Sequence, residues 1–140
     1  MEIVKPPKRK SLPDILSPDE INRVLESVQK PSYAVLCFVM YTMGLRISEA
    51  LHLKVGDIDR EHQRVHVRLG KGGKDRRTVL PASLVPSLQA EVERVHVLHQ
   101  CDLGRGAGEV WLPHALSRKY PKAARELGWQ YMFPARNLSL

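Results

Sequence analysis

Cysteine is scarce in this chain, with two in 140 residues, Cys37 and Cys101. Cys37 lies inside an apolar run and reads as a small buried hydrophobe. A disulfide-stapled extracellular scaffold is therefore excluded, and a reducing, cytoplasmic compartment is expected. Long apolar runs are lacking as well. The longest, "YAVLCFVMY" at 33–41, has nine residues, against the ~20 that a bilayer span requires, so no membrane helix is expected. The first residues, "MEIVKPPKRKSLP", are basic and proline-rich without an apolar core, which does not fit a secretory signal. Acidic residues are sparse where basic ones gather. Residues 60–80 hold seven cations against Glu61 and Asp75, and residues 115–140 hold five against Glu126 alone.

The whole chain carries 22 Lys and Arg against 15 Asp and Glu, a net charge of +7, and 43% of its residues are apolar. That composition suits one globular domain with a modest core. Clustered positive charge favours a polyanionic partner, most often nucleic acid, although a solvated basic surface gives the same count.

Residues 1–13 read as a basic, proline-rich linker. Ser17-Pro18-Asp19-Glu20 then carries an N-cap, a first-turn proline and a capping-box acid. Ile21, Val24, Leu25 and Val28 continue as one helical stripe. A second helix over about 32–43 is apolar nearly all round, which predicts a central buried element ended by Gly44. A third helix starts near Arg46–Ser48. Residues 64–69 alternate as a half-buried strand, "GKGGKD" turns the chain, and "RRTVLP" returns as its partner. Leu84, Leu88, Val92 and Val95 mark a fourth helix behind Pro86, and "DLGRGAGEV" reads as a loop. Two short basic helical pieces follow near 113–120 and 121–128, divided by Pro121 and stopped by Gly128. Trp111 and Phe133 are expected in the core. The fold class is mainly α with a small antiparallel sheet (α+β).

Two stretches carry chemistry: "YTMGLRISEALHL" at 41–53 and "LGKGGKDRRTVLP" at 69–81. Arg46 follows a glycine-ended helix and opens the next, where its planar fork could grip two oxygens of a phosphate. Glu49, three residues on, shares its face and could orient it. A purely structural Arg46–Glu49 pair locking two helices fits the same spacing. Lys71 stands among Gly70, Gly72 and Gly73, where it could serve as a mobile point charge or proton donor, or simply as a solvated turn lysine. A Walker A loop is ruled out because Asp75, and not Ser or Thr, follows Lys74.

Together, "TMGLRISEALHLKVGDID", a basic strand and "GKGGKDRRTVLP" resemble the catalytic domain of the tyrosine recombinase (phage integrase) family, from about Leu16 to Pro81. By motif, the resemblance makes Arg46 the family's first catalytic arginine, Glu49 its supporting acid and Lys71 the hairpin lysine. It implies DNA as the partner and transesterification through a phosphotyrosyl link, with no metal or other cofactor. "EVWLPHALSRKYPKAARELGWQYMFPARNLS" further resembles the insertion of integron integrases, within about 109–134, which engages folded single-stranded hairpin sites. Candidate DNA contacts are then Arg68, Lys74, Arg76, Arg77, Arg118 and Lys119, with Trp129 as a stacking ring.

The family's His-x-x-Arg element has no match in these residues. None of Tyr33, Tyr41, Tyr120 and Tyr131 sits where a nucleophile belongs. Residues 14–140 therefore read as a truncated catalytic domain, catalytically incomplete, DNA-binding, and with exposed apolar surface. The alternatives are a module that self-associates or pairs with an intact recombinase, and a gene remnant without function. A zinc site from His96, His99, Cys101 and His114 lacks a convincing ligand set, so no metal is expected.

Overall fold

The computed structural model describes residues 12–68 and 73–134. Residues 1–11, which hold most of the expected linker, and Lys71 lie outside the described residues.

Helix α1, Pro18–Glu26, opens with the expected capping box. The Ser17 N–H donates to Glu20 Oε2 at 2.8 Å, and the Glu20 N–H donates to Ser17 Oγ at 3.3 Å. Two of the end groups that a helix leaves open are thereby satisfied. The helix stops at Glu26, so Val28 falls beyond its stripe, and none of its residues is fully buried. Helix α2, Pro31–Met43, ends in Gly44 at φ +63°. A Cβ there would meet nothing within 4 Å, so the demand for glycine is purely one of backbone conformation. Contrary to the expectation of a buried central element, only Val39 of α2 is fully buried, while Tyr33 and Tyr41 are exposed. An all-round apolar sequence signals a helix without solvent, but here too few of the described elements surround α2 to exclude it.

Helix α3, Ile47–Leu51, follows directly on Arg46. A 3₁₀ turn at Val55–Asp57 leads into a short strand, β1, Ile58–Asp59. This strand pairs antiparallel with β2, Arg64–Val67, which pairs in turn with β3, Arg76–Val79. The sheet order is β1-β2-β3. The first strand was not expected; at two residues it is too short for alternation to reveal it. In β2, Val65 and Val67 face the core and are fully buried, and Arg64 is exposed.

Helix α4, Val85–Gly104, begins with Pro86 in its first turn and runs three residues into the segment expected to be loop. Gly104 costs a helix only about 1 kcal/mol relative to alanine, which the four preceding turns outweigh. Helix α5, His114–Lys119, lies where the first basic piece was expected. The second basic piece is not an α-helix but two 3₁₀ turns, Ala123–Arg125 and Leu127–Trp129. Gly128 sits inside the latter and does not terminate a helix. The chain then returns to the core. The Val55 N–H donates to the Gln130 carbonyl at 2.9 Å, and the Met132 N–H to the Leu53 carbonyl at 2.9 Å.

The core joins Val39, Leu45, Ala50, Leu53, Val65, Val67, Leu80, Leu84, Leu88 and Met132, with Phe133 packed against it. Each full-sized aliphatic side chain buried there contributes about 1.5–3 kcal/mol. Leu53→Ala, at the junction of α3 and the returning segment, should cost about 2–5 kcal/mol. Trp111, expected in the core, is instead 74% exposed. The fold is α+β, mainly helical with one small antiparallel sheet, as its sequence pattern implies.

Candidate functional site

Arg46 is the residue before α3, with extended backbone (φ −70°, ψ 153°). Its own N–H donates to Glu49 Oε2 at 2.9 Å, and its Nη1 donates to Glu49 Oε1 at 3.3 Å. Glu49 thus caps the helix that carries it and at the same time touches the guanidinium ahead of it. The Arg46 side chain is 56% exposed and that of Glu49 3%. The Arg46 side chain is thus about half exposed, with Nη1 held against Glu49. With its arginine half exposed and a single side-chain contact of 3.3 Å, this pair stabilises the fold little by itself.

Glu49 has a second partner. Arg76, the first residue of β3, donates Nη1 to Oε1 and Nη2 to Oε2, both at 3.1 Å. This bidentate fork is the stronger of the two interactions. The buried carboxyl is held below the ordinary glutamate value of 4.5, first by the Arg46 backbone N–H and then by the Arg76 and Arg46 charges, which together outweigh desolvation.

Strand parity separates the neighbouring arginines of the hairpin. Arg76 pairs with buried Val67 and Arg77 with His66, so the two side chains leave opposite faces of the sheet. Arg77 lines an outer hollow of about 300 Å³ with Gly56, Asp57, Asp59, His62, Arg64 and His66. Nearby, Arg68 Nε donates to buried Asp57 Oδ1 at 2.7 Å, and the Lys54 N–H donates to Asp57 Oδ2 at 3.0 Å. Asp57 and Lys54 were not singled out from the sequence. The one signal for Asp57 was its place three residues after Lys54, where an acid can cap a turn.

Trp129 lies partly buried, with Lys54 Nζ 4.8 Å and Arg68 Cζ 5.9 Å from its ring centre. Lys54 also sits 5.7 Å from the Tyr131 ring. Burial, more than any charge, lowers the Lys54 pKa from its ordinary value. The returning segment is therefore fastened by cations lying over aromatic faces. Arg118 and Lys119 end α5 and are exposed, with Lys119 Nζ 5.4 Å from the Tyr120 ring. Lys74 is exposed before β3. The structure thus brings Arg46, Glu49 and Arg76 together, gathers Arg68 with Trp129, and leaves Arg118 and Lys119 on a separate helix.

Among the described residues no group of three or more His, Cys, Asp and Glu could hold a metal ion. His99 is buried on α4 with Nε2 2.8 Å from the Arg125 carbonyl oxygen, a link between α4 and the 3₁₀ turn at 123–125. No helix of the described residues is long and apolar enough to cross a membrane.

Residues 14–110 match the model of the phage integrase family. An "Integrase/recombinase" of Escherichia coli is 40% identical over 132 residues, covering 94% of this chain and 39% of that protein. The "Tyrosine recombinase XerA" of Thermococcus onnurineus is 38% identical over 95 residues, covering 66% of this chain and 34% of its own length. A crystal structure of XerA recombinase superposes with a TM-score of 0.52 at 33% identity, covering 64% of this chain and 32% of that one. The chain thus spans about two fifths or less of the length of these relatives. With a match that covers more than half of its residues and includes the Arg46–Glu49 helix start and the basic hairpin, this chain belongs to the phage integrase family.

Proposed function

We propose that this chain is the phosphate-gripping part of a site-specific DNA recombinase. Arg46 binds the scissile phosphate through its guanidinium and neutralises charge that develops on the phosphorus oxygens in the transition state. Glu49 keeps that fork in place. Lys71 protonates the 5′ oxygen as it leaves, and a tyrosine hydroxyl, having lost its proton, takes the phosphate into a 3′-phosphotyrosyl link. The P–O bond energy is conserved in that link, so the resemblance requires no metal or high-energy cofactor. DNA as substrate makes the cytoplasm the working compartment.

The observation that carries this reading is a half-exposed arginine fixed at its backbone by an almost fully buried glutamate. As 140 residues, the chain binds DNA without cleaving it, since no His-x-x-Arg occurs in it. Of its tyrosines, Tyr131 is engaged with Lys54 and packs edge-on against His52. Residues 109–134 are read as the integron-type insertion. The alignment with the E. coli relative covers 94% of the chain and so runs well past residue 110, where the family model stops.

The test is fluorescence anisotropy of a labelled hairpin with extrahelical bases beside a plain duplex, across salt. Arg46→Ala and Lys71→Ala should each flatten the plot of log K against log salt by about one. Hairpin binding no tighter than duplex binding would remove the insertion reading. A covalent protein–DNA adduct on a nicked substrate would show that the chain cleaves unaided.

A further inference from the structure

Within the reading of Arg46 as the phosphate ligand, Arg76 stands out. Its position in a basic hairpin marks it for DNA, yet its fork is bound to Glu49 by two hydrogen bonds of 3.1 Å. The same two carboxylate oxygens receive the Arg46 N–H and Nη1. One buried carboxylate therefore joins the start of α3 to the start of β3, 27 residues away in sequence. Arg46 lies at the first of these points. The second directly follows the segment that contains Lys71.

Without Arg76, Glu49 would have one side-chain partner, and that partner is more than half exposed. A carboxylate so weakly paired would draw Arg46 inward or leave its burial, and either motion displaces the Arg46 fork. With Arg76 in place, Glu49 is already satisfied by a planar fork, and Arg46 needs only one long contact to it. Parity explains why this falls to Arg76 and not Arg77: residue 76 is the one opposite buried Val67.

We infer that Arg76 is a positioning residue, which braces Glu49 and through it sets Arg46, and is not itself a contact to DNA. The brace also fixes the start of β3 relative to the start of α3. A lysine at 76 would keep the charge but lose the fork.

The test uses the 140-residue chain, with melting curves as the check on folding. The guanidinium 15N–1H signals of Arg46, assigned by their loss in Arg46→Lys, should be resolved in the wild type. In Arg76→Lys they should merge with those of solvent-averaged arginines. Binding to a labelled duplex should weaken in Arg76→Lys about as much as in Arg46→Ala, roughly three- to tenfold. On the Arg46→Ala background, Arg76→Lys should change affinity by less than about twofold, since a residue acting through another has nothing left to act on. Unchanged Arg46 signals in Arg76→Lys overturn the inference. So do additive losses, which would make Arg76 a phosphate contact of its own, and so does wild-type binding by Arg76→Lys. If Arg76→Lys does not fold, Glu49→Gln/Arg76→Gln removes both charges together, and persistence of the Arg46 signals there is equally fatal. Should Arg46→Ala leave duplex binding and its salt slope intact, the phosphate reading fails while the spectra still decide whether the brace exists.

Discussion

A carboxylate with only 3% of its side chain exposed keeps its charge when donors surround it, and Glu49 has two guanidiniums and a backbone N–H. The folded carboxyl is a stronger acid than the unfolded one. Its contribution to stability is therefore fully present above the unfolded value of 4.5 and drains away as pH falls through the lower, folded value. Glu49→Gln should lower urea stability at neutral pH by about 1–3 kcal/mol, and the gap to wild type should narrow in melts taken progressively below pH 4.5. A gap that stays constant with pH would mean the charge on Glu49 is irrelevant to the fold. Arg46 and Glu49 were legible in the sequence because their relation is local, three residues within one helix start. The partnership with Arg76 was not, since it depends on strand register, and a one-residue shift would have exchanged Arg76 with Arg77. Trp111 misled for a different reason: hydrophobicity marks a residue as buriable but does not provide a surface to cover it.

Between elements, the turns at 55–57 and 127–129 meet through two glycines. A Cβ on Gly56 would lie 2.8 Å from the Gly128 carbonyl oxygen, and backbone cannot swing aside as a side-chain tip can. Gly56→Ala should push the 127–129 turn off the 55–57 turn and cost about 1–3 kcal/mol. Trp129 emission should shift to the red as its ring loses the Lys54 and Arg68 cover. Gly44→Ala offers the contrast. It meets no atom within 4 Å but must adopt φ +63°, so it should cost about 1–2 kcal/mol and leave tryptophan emission unchanged. The stretches with strong period and caps, α1 to α4 and the hairpin, were readable in outline. The junction of the two 3₁₀ turns was not, because single turns bear no period and the meeting of Gly56 with Gly128 joins residues 72 positions apart.

For the molecule as a whole, two surface properties pull against each other. Tyr33 and Tyr41 on α2 and Ile47 and Leu51 on α3 are exposed apolar side chains, and the chain carries a net +7. Apolar surface favours association, while the shared charge opposes it. Salt screens the repulsion and would also weaken the proposed DNA binding, so the two equilibria should move in opposite directions. Sedimentation velocity should show the average mass rising with both protein concentration and salt, and Tyr41→Asp/Ile47→Asp should suppress that rise. A single mass at every concentration and salt would leave the exposed side chains without a self-association role.

The Glu49–Arg76 anchor constrains how such a site can change over generations. Arg76 is held by its place in a strand, whereas Lys71 belongs to the stretch before that strand. Residues can be gained or lost ahead of Arg76 without altering the pairing that faces it toward Glu49, so the arginine's grip stays constant. An insertion between Arg76 and Thr78 has no such freedom, because it turns the strand over. Length variation among descendants should therefore gather on one side of a single residue.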